Sequence, residues 1–230
     1  MSIVERQIDY YRARATEYDE WFFREGRYEL APETKDRWDA EVSEVRTAID
    51  TLAPVEAALE LAPGTGNWSH QLVKLASSLH AVDAAPEMID LAREKTGNAT
   101  NAVWELADLF NWRPNRQYDL VFTGFFLSHV PPDRLAAMVE LIASCMRPGG
   151  RFFFVDSQNS PESGAPEHSE PSAGLAARKL NDGRQFTIVK VIYEPHEIER
   201  EFANVGINLR ARLTDEFFIY GEGTKAEDRP

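Results

Sequence analysis

The chain has 230 residues, of which 38 are acidic and 25 are Lys or Arg, giving a formal net charge of −13. This length favours one well-filled domain, and the acidic balance argues against a nucleic-acid partner, which usually needs a basic surface. Cys145 is the only cysteine, which excludes an intramolecular disulfide and a cluster of metal-binding thiolates.

The first part of the chain shows helical periodicity. Apolar side chains recur at three- and four-residue spacing over residues 3–19 and 34–52. The opening MSIVERQIDYY is charged from its fifth residue, unlike a signal peptide, and no apolar run reaches the roughly 18 residues of a membrane span. We expect a cytoplasmic protein without a membrane partner, in which residues 1–53 form an N-terminal helical lid.

From residue 55 onward, short apolar runs alternate with amphipathic stretches. The apolar runs are residues 57–62, 79–84, 101–109, 118–124 and 151–156. The predicted helices between them are 66–77, 86–96 and 133–146, the last of which is closed by Pro148-Gly149-Gly150. This alternation predicts a parallel sheet with helices on both faces, and residues 55–156 would form its core.

The last third of the chain begins with a loop rich in Ser, Pro and Glu, which we expect to be too polar to pack. A basic hairpin over residues 176–191 follows, so residues 157–193 would cover the acceptor side of the site. A helix at 195–205 and strands near 207–213 and 216–221 complete residues 194–221, before a tail at 222–230. The fold class is then α/β, a Rossmann-like, seven-stranded, mostly parallel sheet with an inserted hairpin, all in one domain.

A glycine turn in ALELAPGTGNW, residues 58–68, follows the first strand. Gly64 and Gly66 remove side chains where a ligand would approach the backbone at a helix N-terminus. A dinucleotide fingerprint, G-x-G-x-x-G, would place its third glycine at Ser69 and so fails one test. The turn resembles the E/D-x-G-x-G-x-G motif of class I S-adenosylmethionine-dependent methyltransferases, with Glu60 in the acidic position and Ala62 replacing the first glycine.

That resemblance extends in the correct order over roughly residues 57–156. The stretches that carry it are HAVDAAPEMIDLAR, ELADLF, YDLVFTGFFLSHV and MRPGGRFFFVD. It implies that Asp83 accepts the two ribose hydroxyls of S-adenosylmethionine, and that Asp108 and the Leu109 amide bind adenine. Glu60 would hold the cofactor ammonium, either directly or through water. The N-terminal YYRARATEYD is similar to a segment that covers the cofactor in small-molecule methyltransferases. The cofactor residues implied are therefore Tyr11, Arg14, Glu60, Gly64, Gly66, Asp83, Met88, Asp108, Leu109 and Phe125.

The hairpin carries a closer resemblance. Together with DLFNW and LSHVPPDR, the segment SEP…DGRQFTIVKV is similar to bacterial phosphonate O-methyltransferases of the dehydrophos type. In such enzymes the phosphonate oxygens are bound by an Arg and a Lys from the hairpin and a Tyr from the lid. By position these are Arg178, Lys190 and Tyr28, although residues 20–40 differ in length and composition.

The register of the hairpin decides whether its cations share a face. A three-residue loop, Asn181-Asp182-Gly183 with Gly183 left-handed, places Arg178 on the same face as Lys190, whereas a two-residue loop turns Arg178 away. Asn-Asp-Gly favours the longer loop. The alternative interpretation is a solvated hairpin whose cations offset the Glu-rich loop.

These residues predict an O-methyltransferase that acts on a small anionic acceptor, for which a phosphonate is the best candidate. His129 would donate to a substrate oxygen, or serve as general base if the acceptor is a neutral hydroxyl. Two alternatives remain open: methylation of a carboxylate, phenol or amine, and a non-catalytic cofactor-binding module. We expect S-adenosylhomocysteine as product, no metal, no nucleic acid, and either a monomer or a homodimer.

Overall fold

The computed structural model describes residues 2–227. In this range the helices are α1 (Ile3–Arg14), α2 (Tyr18–Phe23), α3 (Pro32–Asp50), α4 (Ser69–Leu75), α5 (Pro86–Lys95), α6 (Leu135–Cys145) and α7 (Pro195–Ala203). The strands are β1 (Val55–Leu61), β2 (Ala76–Asp83), β3 (Ala102–Leu106), β4 (Tyr118–Gly124), β5 (Met146–Ser157), β6 (Leu175–Lys179), β7 (Gln185–Val189), β8 (Ile207–Leu213) and β9 (Phe218–Lys225).

Seven of these strands form one sheet in the order β3-β2-β1-β4-β5-β9-β8. The first five strands of the chain run parallel, and β9 is antiparallel to both β5 and β8. This confirms the predicted mostly parallel, seven-stranded sheet. Phe152 and Phe154 of β5 enter one apolar cluster, while Phe153 and Val155 enter another. Because neighbouring strand residues point to opposite faces, both faces of the sheet are covered.

The helix α3 belongs to the core. Its residues Trp38, Val45 and Ile49 are buried in the same apolar cluster as Phe153 of β5. The Glu41 carboxylate also accepts hydrogen bonds from the backbone amides of residues 216 and 217, at 3.0 and 2.8 Å. The prediction of a lid over all of residues 1–53 is therefore wrong for α3, because its apolar stripe packs on the sheet instead of over the strand ends.

Several predicted boundaries also move. β9 extends to Lys225 because it pairs along its length with residues 151–157 of β5. The predicted tail, 222–230, therefore begins inside a strand, and residues 228–230 lie outside the described range. Pro148-Gly149-Gly150 falls within β5, and α6 already ends at Cys145.

The basic hairpin forms a separate two-stranded sheet of β6 and β7. Arg178 pairs with Phe186, the Leu180 amide donates to the Arg184 carbonyl at 2.9 Å, and Gly183 has a φ of 91°. The predicted three-residue loop is therefore confirmed. Arg178 and Lys190 share a face, and that face packs against Tyr10 of α1.

The loop of residues 157–174 contacts the end of α2. Trp21 Nε1 donates to the carbonyl oxygen of Ser163 at 2.8 Å, and the Arg24 guanidinium donates to the carbonyls of residues 162 and 163 at 2.6 and 3.1 Å. Ala165 is buried. The expectation that this loop is too polar to pack is wrong, because its carbonyl oxygens serve as acceptors for these side chains.

Candidate functional site

Two adjoining cavities open where β1, β2, β4 and β5 end. The first cavity lies over the glycine turn and the ends of β2 and β4, and the second lies between α1, the hairpin and the 157–174 loop. With their open mouths included they enclose about 710 and 500 Å³. Their shared lining residues are Tyr11, Tyr18, Phe125 and His129. Ligand clefts of parallel sheets form at this edge, so two reactants can meet across that boundary.

The glycine turn after β1 holds three left-handed residues. Ala62, Gly64 and Gly66 have φ values of 56°, 57° and 83°. Gly64 lines the first cavity, and a Cβ there would meet only a ring carbon of Tyr18, at 4.0 Å. A Cβ on Gly66 would lie 2.8 Å from the Cα of Ala92 in α5. Gly64 thus keeps the cleft open, whereas Gly66, predicted to contact the ligand, instead allows the turn to pack on α5.

Asp83 ends β2 and lines the first cavity. Its carboxylate accepts hydrogen bonds from the amides of Gly64 at 3.2 Å and Ala85 at 2.9 Å. Burial raises the pKa of Asp83 to about 6, and the backbone amides oppose that shift. Each carboxylate oxygen keeps a lone pair that ligand hydroxyls can use.

Glu60 lies inside β1 and is 1% exposed. Its carboxylate accepts a hydrogen bond from the Ser69 hydroxyl at 2.6 Å, and burial raises its pKa to about 8. Glu60 is not part of the lining of the first cavity among the described residues. The direct form of the predicted contact with a cofactor ammonium is therefore not present in this geometry, because the side chain turns towards the N-terminus of α4. The water-mediated form stays a prediction.

Four more of the predicted cofactor residues converge on the first cavity. Asp108, Leu109, Met88 and Phe125 all line it. The Asp108 carboxylate is fixed by the Phe110 amide at 3.0 Å and by Asn111 Nδ2 at 2.7 Å. Phe125 has a φ of 54°, a strained conformation for a bulky residue, and its ring packs 4.8 Å from the Trp21 ring at the boundary between the cavities.

The second cavity gathers positive charge. Its lining contains Arg14, Arg178 and Lys190, and no Asp or Glu side chain of the described residues takes part in it. The nearest carboxylate to Lys190 is that of Asp156, at 3.6 Å. Within an acidic chain, three cations facing one small volume make a site for an anion.

Arg14 lines the second cavity and not the first, contrary to its predicted place on the cofactor. Its guanidinium donates to the phenol oxygens of Tyr10 at 2.9 Å and Tyr28 at 3.3 Å, and its buried Nε has no hydrogen-bond partner among the described residues. Because α1 lies along the hairpin, the side chain of Arg14 points to the acceptor side of the boundary. Tyr11, one turn earlier, lines both cavities.

Lys190 and Arg178 are both drawn out of solvent. The Lys190 ammonium donates to the hydroxyls of Ser128 and Ser157 at 2.9 and 3.0 Å, and burial lowers its pKa. The Arg178 guanidinium donates to the carbonyl oxygens of Ser169 and Ala177 at 3.1 and 2.9 Å through one terminal nitrogen. Burial also lowers the pKa of Arg178, yet a guanidinium remains charged in proteins.

His129 lies on the boundary between the cavities. Its Nδ1 is 2.7 Å from the carbonyl oxygen of Val189, which fixes Nδ1 as the protonated nitrogen and leaves the Nε2 lone pair free to accept. Burial, with Lys190 nearby, holds the pKa of His129 well below its usual range. The imidazole is therefore neutral at physiological pH, since both causes disfavour the cation.

Tyr28 lines the second cavity together with Arg14 and Lys190, as its position in the sequence predicts. It is buried, and its ring packs 5.8 Å from His168 of the 157–174 loop. Sequence reasoning missed His168 and also Tyr18 and Ser157, which line the same cavity. Only Ser157 carries a usable signal, because it follows the fifth apolar run where the cleft residues of such sheets lie.

Gln7 was also missed. Its side-chain amide donates to the carbonyl of His129 at 2.8 Å and accepts from the amide of Val189 at 2.9 Å. This buried residue of α1 thereby joins the loop after β4 to the end of the hairpin. A polar residue inside an amphipathic helix gives no indication of such a bridge.

Comparison with known proteins shows which family the chain belongs to. A family profile described as "Methyltransferase domain" matches residues 58–150. The structure of DhpI with SAH is similar over 100% of both chains, at 32% identity and a TM-score of 0.76, and the DhpI–SAM–HEP complex is similar at 33% identity with the same coverage and score. The chain belongs to the class I S-adenosylmethionine-dependent methyltransferases.

Similarity to curated sequences is more distant. A ubiquinone biosynthesis O-methyltransferase of Xanthomonas euvesicatoria is 28% identical over 155 residues, which are 66% of this chain and 62% of that protein. A malonyl-[acyl-carrier protein] O-methyltransferase of Ilyobacter polytropus is 34% identical over 68 residues, 29% of this chain and 25% of that protein. The chain thus spans less than two thirds of these curated relatives.

The first cavity of this methyltransferase fits the family's cofactor. Asp83 and Glu60 are buried carboxylates with raised pKa values, and the contacts formed by residues 2–227 give neither of them a cationic partner. Hydroxyls of a bound ligand can reach Asp83, which lines the cavity, whereas Glu60 lies behind that lining and bonds to Ser69. Asp83, Asp108 and Leu109 line this cavity, and they are the residues that would hold the nucleoside part of the cofactor.

Residues 2–227 contain neither a metal-binding cluster nor a helix suited to cross a membrane. No cluster of three or more His, Cys, Asp or Glu side chains in residues 2–227 is arranged to hold a metal ion. In the same range, no helix has the length and apolar character needed to cross a membrane. Independence from metal remains a prediction for the assay below.

Proposed function

We propose that this methyltransferase transfers a methyl group from S-adenosylmethionine to an oxygen of a small anionic acceptor, and that the acceptor is a phosphonate. The observation that carries the proposal is the second cavity, where Arg14, Arg178 and Lys190 face one small volume that adjoins the cofactor cavity. Two cations from the hairpin and one from α1 match an acceptor with several charged oxygens better than one with a single charge.

The chemistry asks little of the protein beyond placement. S-adenosylmethionine supplies an electrophilic methyl carbon when it is bound. A phosphonate oxygen is already anionic near neutral pH, because the first proton of a phosphonic acid is lost far below pH 7. The planar fork of Arg178 can hold two oxygens of the acceptor. Orienting a third oxygen towards the first cavity lowers the activation barrier by several kcal/mol through proximity alone.

Aromatic rings line the boundary between the cavities and would exclude water once both reactants are bound. Tyr11, Tyr18 and Phe125 line both cavities, and the Trp21 ring packs edge-on against Phe125. A dry boundary strengthens the attraction between the acceptor anion and the cations that hold it. It also keeps solvent from competing for the position of the attacking oxygen.

His129 supports an acceptor that is ionised before it binds. An imidazole whose pKa is well below its usual range is a weak base at neutral pH, so it is poorly suited to deprotonate a neutral phenol. Its free Nε2 can instead accept a hydrogen bond from a hydroxyl of the acceptor or from a protonated phosphonate oxygen. The neutral state of His129 therefore favours an oxyanion acceptor over a phenol or an amine.

A carboxylate acceptor is the second candidate. A carboxylate is also ionised in advance, and the same three cations would bind it. The named sequence relatives methylate other acceptors, but the regions matched are partial. DhpI is similar over the full length of both chains, and its complex contains SAM and HEP, which agrees with the motif resemblance to phosphonate O-methyltransferases.

The test is a methyl-transfer assay. The purified protein is incubated with S-adenosylmethionine and a panel of small phosphonates, phosphonopeptides, carboxylates and phenols, and S-adenosylhomocysteine is measured by mass spectrometry. We expect turnover to be concentrated in the phosphonates. Turnover confined to phenols or to carboxylates would refute the acceptor assignment while leaving the methyltransferase in place.

A further inference from the structure

Ser157 ends β5 and lies at the floor of the second cavity. It is 7% exposed, and its hydroxyl accepts a hydrogen bond from the Lys190 ammonium at 3.0 Å. Ser128 accepts from the same ammonium at 2.9 Å, but in the described part of the chain it lines neither cavity. Both serines therefore bind the Lys190 ammonium, but only Ser157 lines the cavity that an acceptor would enter.

The Lys190 ammonium is held by three protein groups. Two of its three N–H donors bind the hydroxyls of Ser128 and Ser157, and the carboxylate of Asp156 lies 3.6 Å away, an ion pair that is longer than a hydrogen bond. Asp156 is itself held by the amides of the two serines, at 2.9 and 2.7 Å. An anion entering the cavity thus meets an ammonium that already donates to two serines and faces the Asp156 carboxylate.

The Ser157 hydroxyl has an unused donor. A hydroxyl carries one proton and two lone pairs, and here a lone pair is taken by Lys190. The hydrogen bonds among residues 2–227 give the Ser157 proton no acceptor. A hydroxyl that accepts from an ammonium is polarised, which makes its own proton a stronger donor.

We propose that Ser157 is an acceptor-binding residue whose hydroxyl donates to an oxygen of the anionic acceptor, with Lys190 acting through it. This inference rests on the proposed function and adds a residue to the acceptor site. Because the lysine charge is kept one hydroxyl away, the oxygen bound by Ser157 keeps more of its nucleophilic character than one in direct contact with an ammonium. Arg178 remains the direct cationic ligand.

The experiment compares Ser157→Ala with its matched control Ser128→Ala. Each variant removes one hydroxyl from Lys190, and only the first removes a group from the cavity. Binding of methylphosphonate to the protein loaded with S-adenosylhomocysteine is measured by calorimetry. We expect Ser157→Ala to weaken binding by about tenfold to a hundredfold, the usual range for a hydrogen bond to a charged group, and Ser128→Ala to change it by less than about threefold.

A third variant separates the hydrogen bond from packing. Ser157→Thr keeps the hydroxyl and suits a strand, so it should retain most of the affinity even if Ser157→Ala folds poorly. Equal affinity in wild type and Ser157→Ala, or equal losses in both alanine variants, overturns the role of Ser157 alone. A wild-type protein that binds no methylphosphonate refutes the acceptor proposal, and this hydrogen bond with it.

Discussion

The two glycines after β1 differ in what surrounds them, and alanine substitutions should separate their roles. In Gly66→Ala the new Cβ would lie 2.8 Å from the Cα of Ala92, at a φ of 83°. The left-handed conformation costs about 1–2 kcal/mol for alanine and the overlap about 1–3 kcal/mol, while the stiffer unfolded chain returns about 0.4–1 kcal/mol. The net loss of about 2–4 kcal/mol should lower Tm by about 5–15 °C in a chain of this size.

Gly64→Ala should behave differently. Its Cβ would enter open space above the cleft, with only the Tyr18 ring at 4.0 Å, so conformational strain alone lowers stability by about 1 kcal/mol, or roughly 2–4 °C in Tm. The same methyl group occupies the first cavity and should weaken S-adenosylhomocysteine binding. Thermal melts measure the first effect, and calorimetry on the folded variants measures the second. A Gly66→Ala protein that melts within about 2 °C of wild type refutes the packing argument, because the expected fall in Tm is larger than that.

Further predictions concern charge and pH. The cofactor hydroxyls need the ionised form of Asp83, whose pKa lies at about 6, so affinity for S-adenosylhomocysteine should rise about tenfold from pH 5 to pH 7. In calorimetry, Asp83→Asn should weaken binding and flatten this pH profile. An unchanged profile would contradict the assignment of Asp83 to the cofactor hydroxyls. Without ligand, Asp83 binds a proton more tightly in the folded chain than in the unfolded chain, so its contribution to stability should fall as the pH rises from about 4 to 6. Arg178→Ala should raise KM for an anionic acceptor by about tenfold or more and leave cofactor affinity unchanged. Lys179 is the exposed neighbour, so the control variant Lys179→Ala should leave this KM unchanged. An equal rise in KM in both variants would count against an anion site. Turnover should survive EDTA, and its loss would show that a metal takes part.

The sequence was sufficient for features that depend on local pattern. Alternating apolar runs and amphipathic stretches predict the sheet, because both periodicities are properties of neighbouring residues. The hairpin register also follows from Asn181-Asp182-Gly183, since the turn residues fix which strand positions oppose each other. Asp83 and Asp108 line the first cavity. The sequence predicts this placement because the end of an apolar run marks the end of a strand.

Features that depend on distant contacts could not be predicted. Arg14 and Tyr11 lie on one helix, and only the packing of α1 on the hairpin sends Arg14 to the acceptor side. Gly66 looks like a ligand contact until its approach to Ala92 in α5 is known. The bridge from Gln7 to the end of β7 spans 182 positions, which no local pattern records.

Ala62 determines whether a search for the family's glycine motif recognises this chain. It holds a φ of 56° at the position where the family motif has its first glycine. A left-handed alanine costs about 1–2 kcal/mol, which a domain with about 5–15 kcal/mol of stability can tolerate. Screens that demand all three glycines therefore discard functional turns of this shape, and a search based on backbone conformation at this position would recover them.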